Sequence, residues 1–319
     1  MKTLPRRAVA ALVLLIAFAA CQRQHKRVIA VIPKGRAHLF WQSVHGGAEK
    51  AGAETSVEIL WNGPAMETDY TGQLQIVEAM INRRVDAIVV APIDKRAMVS
   101  VVERAASENI PVVIFDSGID TDKIVSQVAT DNYQAGVIAA GRIGKILAGT
   151  GTVAMVKVQP GAASTEAREK GFEDTLAKDF VGIRIVDKRY GMADFAKSLE
   201  VSENMLTAYP DLDGMFASNE SSAVGAARAL KGRATRVKLV GFDWSPALKE
   251  GLESGMIDSV VVQDPFRMGY ESVLAAVAKL DGKPVEKLHN LPPRLVDRAN
   301  LNDPDVQAQL NPDLKKWLK

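Results

Sequence analysis

Residues 87–116, AIVVAPIDKRAMVSVVERAASENIPVVIFD, have the pattern of one complete β-α-β unit. The apolar runs at 87–91 and 112–115 are rich in β-branched residues and predict strands, and the amphipathic stretch 95–108 between them predicts a helix. Strands joined by a helix run parallel, and helices cover both faces of their sheet. This segment therefore predicts an α/β fold.

The same alternation continues almost without interruption from residue 28 to about residue 279. The other predicted strands are 28–32, 57–61, 125–129, 152–156, 183–186, 214–217, 238–242 and 259–262. The other predicted helices lie near 42–54, 69–83, 132–148, 165–178, 193–208, 220–230, 245–253 and 266–280. A chain of 319 residues with this many units is expected to form two domains rather than one.

Polar residues that follow the predicted strands mark the edge where a ligand is expected. In open parallel sheets, ligands bind beyond the carboxyl ends of the strands. Many of the residues at these ends are hydrogen-bonding groups without nucleophilic or metal-ligating character. They are Lys34, Gly35, Arg36, His38, Asn62, Gly63, Pro92, Asp94, Asp116, Ser117, Asp131, Asn132, Asn219, Glu220, Asp243, Trp244, Gln263 and Asp264.

Several function classes find no support in the sequence. The four histidines stand singly and no CxxC spacing occurs, so we expect no metal site and no cofactor. Neither a GxSxG elbow nor a phosphate loop is present, which argues against an enzyme. Residues 1–20 hold three of the 40 basic residues and none of the 38 acidic ones, so the chain without them is nearly neutral and a nucleic-acid partner gains no support.

The N-terminus carries an export signal. Residues 1–20, MKTLPRRAVAALVLLIAFAA, join a basic start to a 13-residue apolar run that is too short to span a bilayer, which takes roughly 20 residues. Cys21, the only cysteine, follows directly, and residues 18–21 resemble a bacterial lipobox except that Phe18 replaces an aliphatic residue. We expect a periplasmic or cell-surface lipoprotein in which 21–27 are the acylated cysteine and a short tether. An ordinary cleaved signal is the alternative.

Seven segments carry a resemblance to a known family. They are IAVIPKGRAHLFWQSVHGGAEKAG (29–52), IPVVIFDSG (110–118), ATDNYQAG (129–136), PGAASTEAREKGFED (160–174), YPDLDGMFASNESSAVGAARAL (209–230), VGFDWSPA (240–247) and VVQDPFRMGYESV (261–273). In this order they resemble strand-end segments of the periplasmic sugar-binding proteins of ABC importers, close to the ribose-binding type. That family shares its fold with the effector domain of lac-repressor-like regulators. The resemblance covers nearly all of residues 28–297.

The resemblance implies two doubly wound parallel-sheet lobes joined by a three-crossing hinge, with the ligand in the cleft between them. It places the N-terminal lobe at 28–130 plus 264–290 and the C-terminal lobe at 131–263 plus 291–297. Residues 298–319 remain as a polar C-terminal tail, and the crossings fall near Asp131, Gln263 and Leu291.

The resemblance also implies which residues bind the ligand. Aromatic rings are expected to lie against the C–H faces of a sugar, while charged and amide groups hydrogen-bond its hydroxyls. The implied ligand-binding residues are Lys34, His38, Phe40, Trp41, Asp116, Arg168, Phe195, Asn219, Asp243 and Gln263.

Residue type alone leaves other interpretations open for some of these positions. Asp116 and Asp243 follow predicted strands, where Asp is also common in turns and helix caps, and Asn219 precedes a predicted helix. Arg168 lies on a predicted helix, where an arginine is by default a surface residue with an ion pair.

The sequence does not identify the ligand. Lys34, His38 and Ser117 depart from the ribose type, which has a small polar residue, an asparagine and an arginine there. The combination of Lys34 and Asp116 resembles that of the receptor for autoinducer-2. That receptor, however, has an Asp-Gln pair near the positions that Thr165 and Glu166 occupy here.

The family implies an exported, monomeric protein that captures a small sugar or polyol and delivers it to an ABC permease, with Cys21 as its lipid anchor. Binding of autoinducer-2 and presentation of a ligand to a membrane sensor are the alternatives. A sugar-responsive regulator would need a helix-turn-helix headpiece, for which residues 22–27 leave no room. An enzyme is the weaker interpretation.

Overall fold

The computed structural model describes residues 26–231 and 237–318. The predicted signal and Cys21 lie outside the described residues. The strands are β1 (Val28–Ile32), β2 (Glu58–Trp61), β3 (Ala87–Val90), β4 (Val112–Phe115), β5 (Ser126–Thr130), β6 (Thr150–Lys157), β7 (Gly182–Tyr190), β8 (Gly214–Ala217), β9 (Lys238–Phe242), β10 (Ser259–Val262), β11 (Leu288–Leu291) and β12 (Arg294–Asp297).

Helices connect most of these strands. They are α1 (Leu39–Thr55), α2 (Tyr70–Asn82), α3 (Val99–Ser107), α4 (Asn132–Ile146), α5 (Ala163–Asp179), α6 (Phe195–Ala208), α7 (Glu220–Leu230), α8 (Pro246–Ser254), α9 (Pro265–Leu280) and α10 (Pro304–Leu310), with a 3-10 turn at Leu314–Lys316. Most of the longer helices begin at an Asp, Asn or Ser whose side chain accepts a hydrogen bond from the first turn, as at Asp131 and Asp264.

The strands form two six-stranded sheets of the same winding order. One has the order β2-β1-β3-β4-β5-β11 and the other β7-β6-β8-β9-β10-β12. Among the described strands, every pairing is parallel except that of β10 with β12. The predicted α/β fold with two doubly wound lobes is therefore confirmed.

Each sheet is buried between two layers of helices. In β1, Ile29 and Val31 pack in the core under α1 and α9, while Ala30 and Ile32 point the other way into the core under α2 and α3. Because successive side chains of a strand alternate between faces, a sheet covered on both sides needs apolar residues at every position. This requirement explains why the strand signal in the sequence is a continuous apolar run.

The chain passes from one sheet to the other at three places. It leaves the first sheet after β5 and returns after β10, and β11 joins the first sheet whereas β12 joins the second. We propose on this basis the lobe boundaries that the sequence predicts, 28–130 plus 264–290 for the N-terminal lobe and 131–263 plus 291–297 for the C-terminal lobe.

Helices α4 and α5 pack closely because a glycine of α4 stands at their point of contact. A Cβ atom on Gly136 would lie 1.9 Å from the carbonyl oxygen of Arg168. No side chain fits that distance, so the glycine lets α5 approach the sheet and carry Arg168 toward the carboxyl ends of the strands.

The C-terminal segment contains more structure than the predicted polar tail. Helix α10 buries Val306 and Leu310 in the core of the C-terminal lobe. Further on, Leu314 reaches the N-terminal lobe, where a Cβ atom on Gly46 of α1 would lie 2.8 Å from Leu314 Cδ2. The segment therefore packs against both lobes.

Replacing Leu310 with alanine is expected to lower the free energy of unfolding by about 2–4 kcal/mol, because it removes a buried side chain and leaves a cavity. Urea unfolding measures this change. Lys315→Ala is the control, since Lys315 is exposed on the same segment. Equal stabilities of the two variants would show that α10 is not part of the folded core.

Candidate ligand-binding site

The carboxyl ends of the strands of both sheets face one cavity between the lobes. Nine of the ten predicted site residues line it. The tenth, Phe195, instead packs its ring edge-on against His38, with 5.2 Å between ring centroids. The lining residues are Lys34, His38, Phe40, Trp41, Glu67, Asp116, Ser164, Thr165, Arg168, Asn219, Asp243 and Gln263.

Lys34 and Asp116 form a buried ion pair on the wall of the N-terminal lobe. Lys34 Nζ lies 2.7 Å from Asp116 Oδ2, and both side chains are almost fully buried. Lys34 Nζ also donates a hydrogen bond of 3.0 Å to Ser164 Oγ of the other lobe. Asp116 has a φ of 58°, which is rare for a non-glycine residue and places its carboxylate at the end of β4, pointing into the cleft.

Glu67 is a lining residue that the sequence does not predict. Its Oε1 atom accepts hydrogen bonds of 2.7 Å from both His38 Nδ1 and Trp41 Nε1. Glu67 stands in the loop after β2, beyond the strand-end residues Asn62 and Gly63. Glu67 is not predicted because the prediction considers only residues that directly follow a strand.

Arg168 is fully buried at the floor of the C-terminal lobe. Its guanidinium lies 3.6 Å from the centroid of the Phe242 ring, and it donates to Asn132 Oδ1 at 2.7 Å and to the carbonyl oxygen of Ser218 at 2.6 Å. The default expectation of a surface arginine is therefore wrong. Stacking and the fork of hydrogen bonds fix the plane of the guanidinium at the cavity.

Asp243 connects the strand end to the hinge. Its carboxylate accepts from the backbone N–H of Glu220 at 2.9 Å and from Gln263 Nε2 at 2.7 Å. Gln263 Oε1 accepts in turn from Thr130 Oγ1 at 2.6 Å. Asn219 caps α7 by accepting from the N–H of Ser222 at 2.9 Å. The capping interpretation of Asn219 is thus correct, and the residue also lines the cavity.

The lobes contact each other around the cavity. Ser164 N–H donates to Ser117 Oγ at 3.0 Å, and Gln159 Nε2 donates to the carbonyl oxygen of Glu67 at 2.8 Å. At the rim, Lys95 Nζ lies 2.8 Å from Glu166 Oε2. These contacts hold the two lobes in a closed arrangement.

Charges inside the cavity balance. Burial alone would lower the pKa of His38, but the carboxylate of Glu67 outweighs it, with smaller contributions from Glu220 and Asp243, and raises the pKa to about 9. Burial raises the pKa of Glu220 to about 7. Three cationic side chains and three carboxylates therefore line the cavity, so neither sign of charge dominates its wall. The cations are Lys34, His38 and Arg168, and the carboxylates are Glu67, Asp116 and Asp243.

The free energy of unfolding is expected to fall as the pH rises from 6.5 to 9. The raised pKa of His38 stabilises the fold fully below pH 6.5, and this contribution, up to about 3 kcal/mol, is lost as the pH rises through 9. Urea unfolding at both pH values tests this expectation on the wild type and His38→Gln. His45→Gln, which removes a part-exposed histidine beside Glu49, is the control. Equal pH dependence of the wild type and His38→Gln would contradict it.

Neither a metal-binding cluster nor a membrane-spanning helix is found in the described part of the chain. Within 26–231 and 237–318, no group of three or more His, Cys, Asp or Glu residues could hold a metal ion. In the same part of the chain, no helix is long and apolar enough to cross a membrane.

Two doubly wound lobes that close over a polar cavity at facing strand ends define the class of bilobal ligand-binding proteins. The family model described as a periplasmic binding protein domain matches residues 29–284, and the chain belongs to this family. The predicted family resemblance is confirmed.

Characterised relatives and solved structures agree with this membership. The chain is 30% identical to the ribose import binding protein of Bacillus subtilis over 80% of this chain and 82% of that protein. It is 31% identical to the D-ribose/D-allose-binding protein of Pseudomonas aeruginosa over 81% of this chain and 83% of that protein. A carbohydrate transporter solute-binding protein from Agrobacterium radiobacter in complex with D-arabinose superposes with a TM-score of 0.88 at 34% identity, covering 90% of this chain and all of that one.

Proposed function

We propose that this protein is an extracytoplasmic solute-binding protein that closes on a neutral monosaccharide or polyol and delivers it to an ABC permease. The observation that carries the proposal is the charge-balanced cavity between the lobes, in which three cations and three carboxylates present both donors and acceptors. Vicinal hydroxyls need both, and hydrogen bonds to charged groups contribute about 1.5–3 kcal/mol each.

Two aromatic residues support the sugar over other neutral ligands. Phe40 and Trp41 line the cavity while packing in the core of the N-terminal lobe. Their rings stand at 90° to each other, so they offer an apolar wall to the C–H groups of a sugar. We expect binding without chemical conversion of the ligand, since the relatives that the chain resembles are named as binding proteins.

Closure is the step that the ligand would control. A ligand shifts a protein between open and closed forms only by contacting the closed form better. Here Asp116 belongs to one lobe and Asp243 to the other, and a sugar held by both would join them. The closed lobes would then present one surface to the permease.

Export, anchoring and oligomeric state complete the proposal. Residues 1–20 would direct export, and an acylated Cys21 would tether the mature chain to a membrane. We expect a monomer, as the family resemblance implies.

Autoinducer-2 is the second candidate ligand. The 2.7 Å ion pair between Lys34 and Asp116 favours it, since that pair carries the resemblance to its receptor. Against it, Glu166 is engaged by Lys95 at the rim. Presentation of the ligand to a membrane sensor instead of a permease would use the same closed form.

Titration calorimetry of the folded protein tests the proposal. The panel contains D-ribose, D-allose, D-arabinose and D-fucose, with autoinducer-2 as the second candidate and D-glucuronate as a charged control. We expect saturable binding of at least one neutral sugar and none of glucuronate. Folded protein that binds no sugar would overturn the proposal, and binding of autoinducer-2 alone would favour the second candidate.

A further inference from the structure

Glu67 is a buried acid that the family resemblance does not account for. Its side chain is about nine-tenths buried, and one oxygen accepts from two ring N–H groups, those of His38 and Trp41, each at 2.7 Å. Both donors stand at the start of α1 and line the cavity. Glu67 therefore orients two cavity-lining rings at once.

The other nitrogen of His38 has no partner. His38 Nε2 is buried and makes no hydrogen bond within the described residues, although the ring is 3% exposed and lines the cavity. A carboxylate oxygen can only accept, so His38 Nδ1 is the donor in the bond to Glu67. In the imidazolium form the second nitrogen is then a donor as well.

The charged groups around His38 favour that form. Glu67 accepts from its ring at 2.7 Å, Glu220 and Asp243 also favour the charged form, and Phe195 contacts the ring by an edge rather than by a polar atom. A buried N–H without an acceptor destabilises the protein, so the structure has a place for an oxygen atom next to Nε2.

We propose that Glu67 is a positioning residue that keeps both ring nitrogens of His38 protonated, so that each is a hydrogen-bond donor. The site then selects ligands that place an oxygen acceptor next to Nε2. The inference rests on the proposed function and narrows it to sugars that carry a hydroxyl or ring oxygen at this one position. A deoxy sugar that lacks this oxygen leaves a buried N–H unpaired and is rejected.

Glu67→Gln is the direct test, because the glutamine Oε1 keeps the shape and can still accept from both rings, while the substitution removes the charge that holds His38 protonated. Glu166→Gln is the matched control, since Glu166 is also a cleft carboxylate but accepts from Lys95 at the rim. Calorimetry with a full set of monodeoxy analogues of the sugar that binds, and ¹⁵N NMR of the histidine rings without ligand, are the measurements.

In the wild type and Glu166→Gln, we expect one monodeoxy analogue to bind about 10- to 100-fold more weakly than its parent, and both ring nitrogens of His38 to be protonated at pH 7.5. In Glu67→Gln, His38 should be neutral and the penalty for that analogue should be smaller, because a neutral Nε2 can only accept an uncharged hydrogen bond from the hydroxyl. The inference would be overturned if Glu67→Gln lowered the affinity for the parent sugar and all analogues by the same factor while His38 stayed protonated. Glu67 would then be a structural residue. If no sugar binds the wild type, the proposed function fails, while the NMR comparison still decides whether Glu67 controls His38.

Discussion

Replacing Asp243 with alanine is expected to weaken sugar binding at least about 100-fold, because the carboxylate is positioned to accept from ligand hydroxyls and charged hydrogen bonds contribute about 1.5–3 kcal/mol each. The change also removes the acceptor of two hydrogen bonds, from Gln263 Nε2 at 2.7 Å and from the N–H of Glu220 at 2.9 Å. Gln263 lines the cavity, so the loss removes an acceptor for the ligand and also loosens a neighbouring lining residue.

Calorimetry with the sugar that binds best measures this effect, and thermal unfolding reports the cost to the fold. Asp194→Ala is the control, since Asp194 accepts from the N–H of Lys197 at the start of α6 without lining the cavity. We expect Asp194→Ala to lose a helix cap, about 1 kcal/mol of stability, and to bind normally. If Asp243→Ala keeps its affinity within twofold and only unfolds earlier, Asp243 is a cap and not a ligand-binding residue.

Replacing Arg168 with methionine is expected to be the most damaging substitution in the cleft. It removes the buried cation that interacts electrostatically with Asp243, while Asp116 keeps its ion pair with Lys34. Removal of one partner from a buried charge cluster costs about 3–5 kcal/mol. The carbonyl oxygen of Ser218 and the amide of Asn132 also lose their donors. We therefore expect both a large loss of unfolding free energy and no measurable sugar binding.

Urea unfolding measures the stability of this variant. Arg142→Met is the matched control, because Arg142 pairs with Asp258 and Asp297 at a part-exposed site, where an ion pair contributes about 0.2–1 kcal/mol. Arg168→Lys separates charge from shape, since lysine keeps the cation but lacks the planar fork that stacks on Phe242. An Arg168→Met protein as stable as Arg142→Met would show that the buried charges do not depend on one another.

Much of the fold follows from the sequence because both sheets are covered by helices. Strands buried on both faces are continuous apolar runs, and all ten predicted strands and nine predicted helices are present in the structure. Strands β11 and β12 are missed because neither is a continuous apolar run: β11 reads LHNL, with three of its four positions exposed or half-buried, and β12 reads RLVD. Their pairing partners, β5 and β10, lie far away in the chain.

The cavity was predictable where a residue directly follows a strand. Asp116, Asp243 and Gln263 each stand one position after their strand, and the first two adopt a positive φ that turns them toward the cleft. Arg168 depended on the family resemblance, because its burial results from the close approach of α5 at Gly136. Neither strand-end position nor the family resemblance predicts Glu67, because only the folded loop after β2 brings its carboxylate to His38.

The central claim is that the cleft holds one neutral, polyhydroxylated ligand. Mass spectrometry of the small molecule released on denaturing protein purified from its native cells tests it most directly. The balanced cavity charges predict a monosaccharide or polyol, present at one molecule per chain and absent from Asp243→Ala prepared in the same way. An anionic, cationic or aromatic ligand bound in that ratio, and lost in the same variant, would contradict the account.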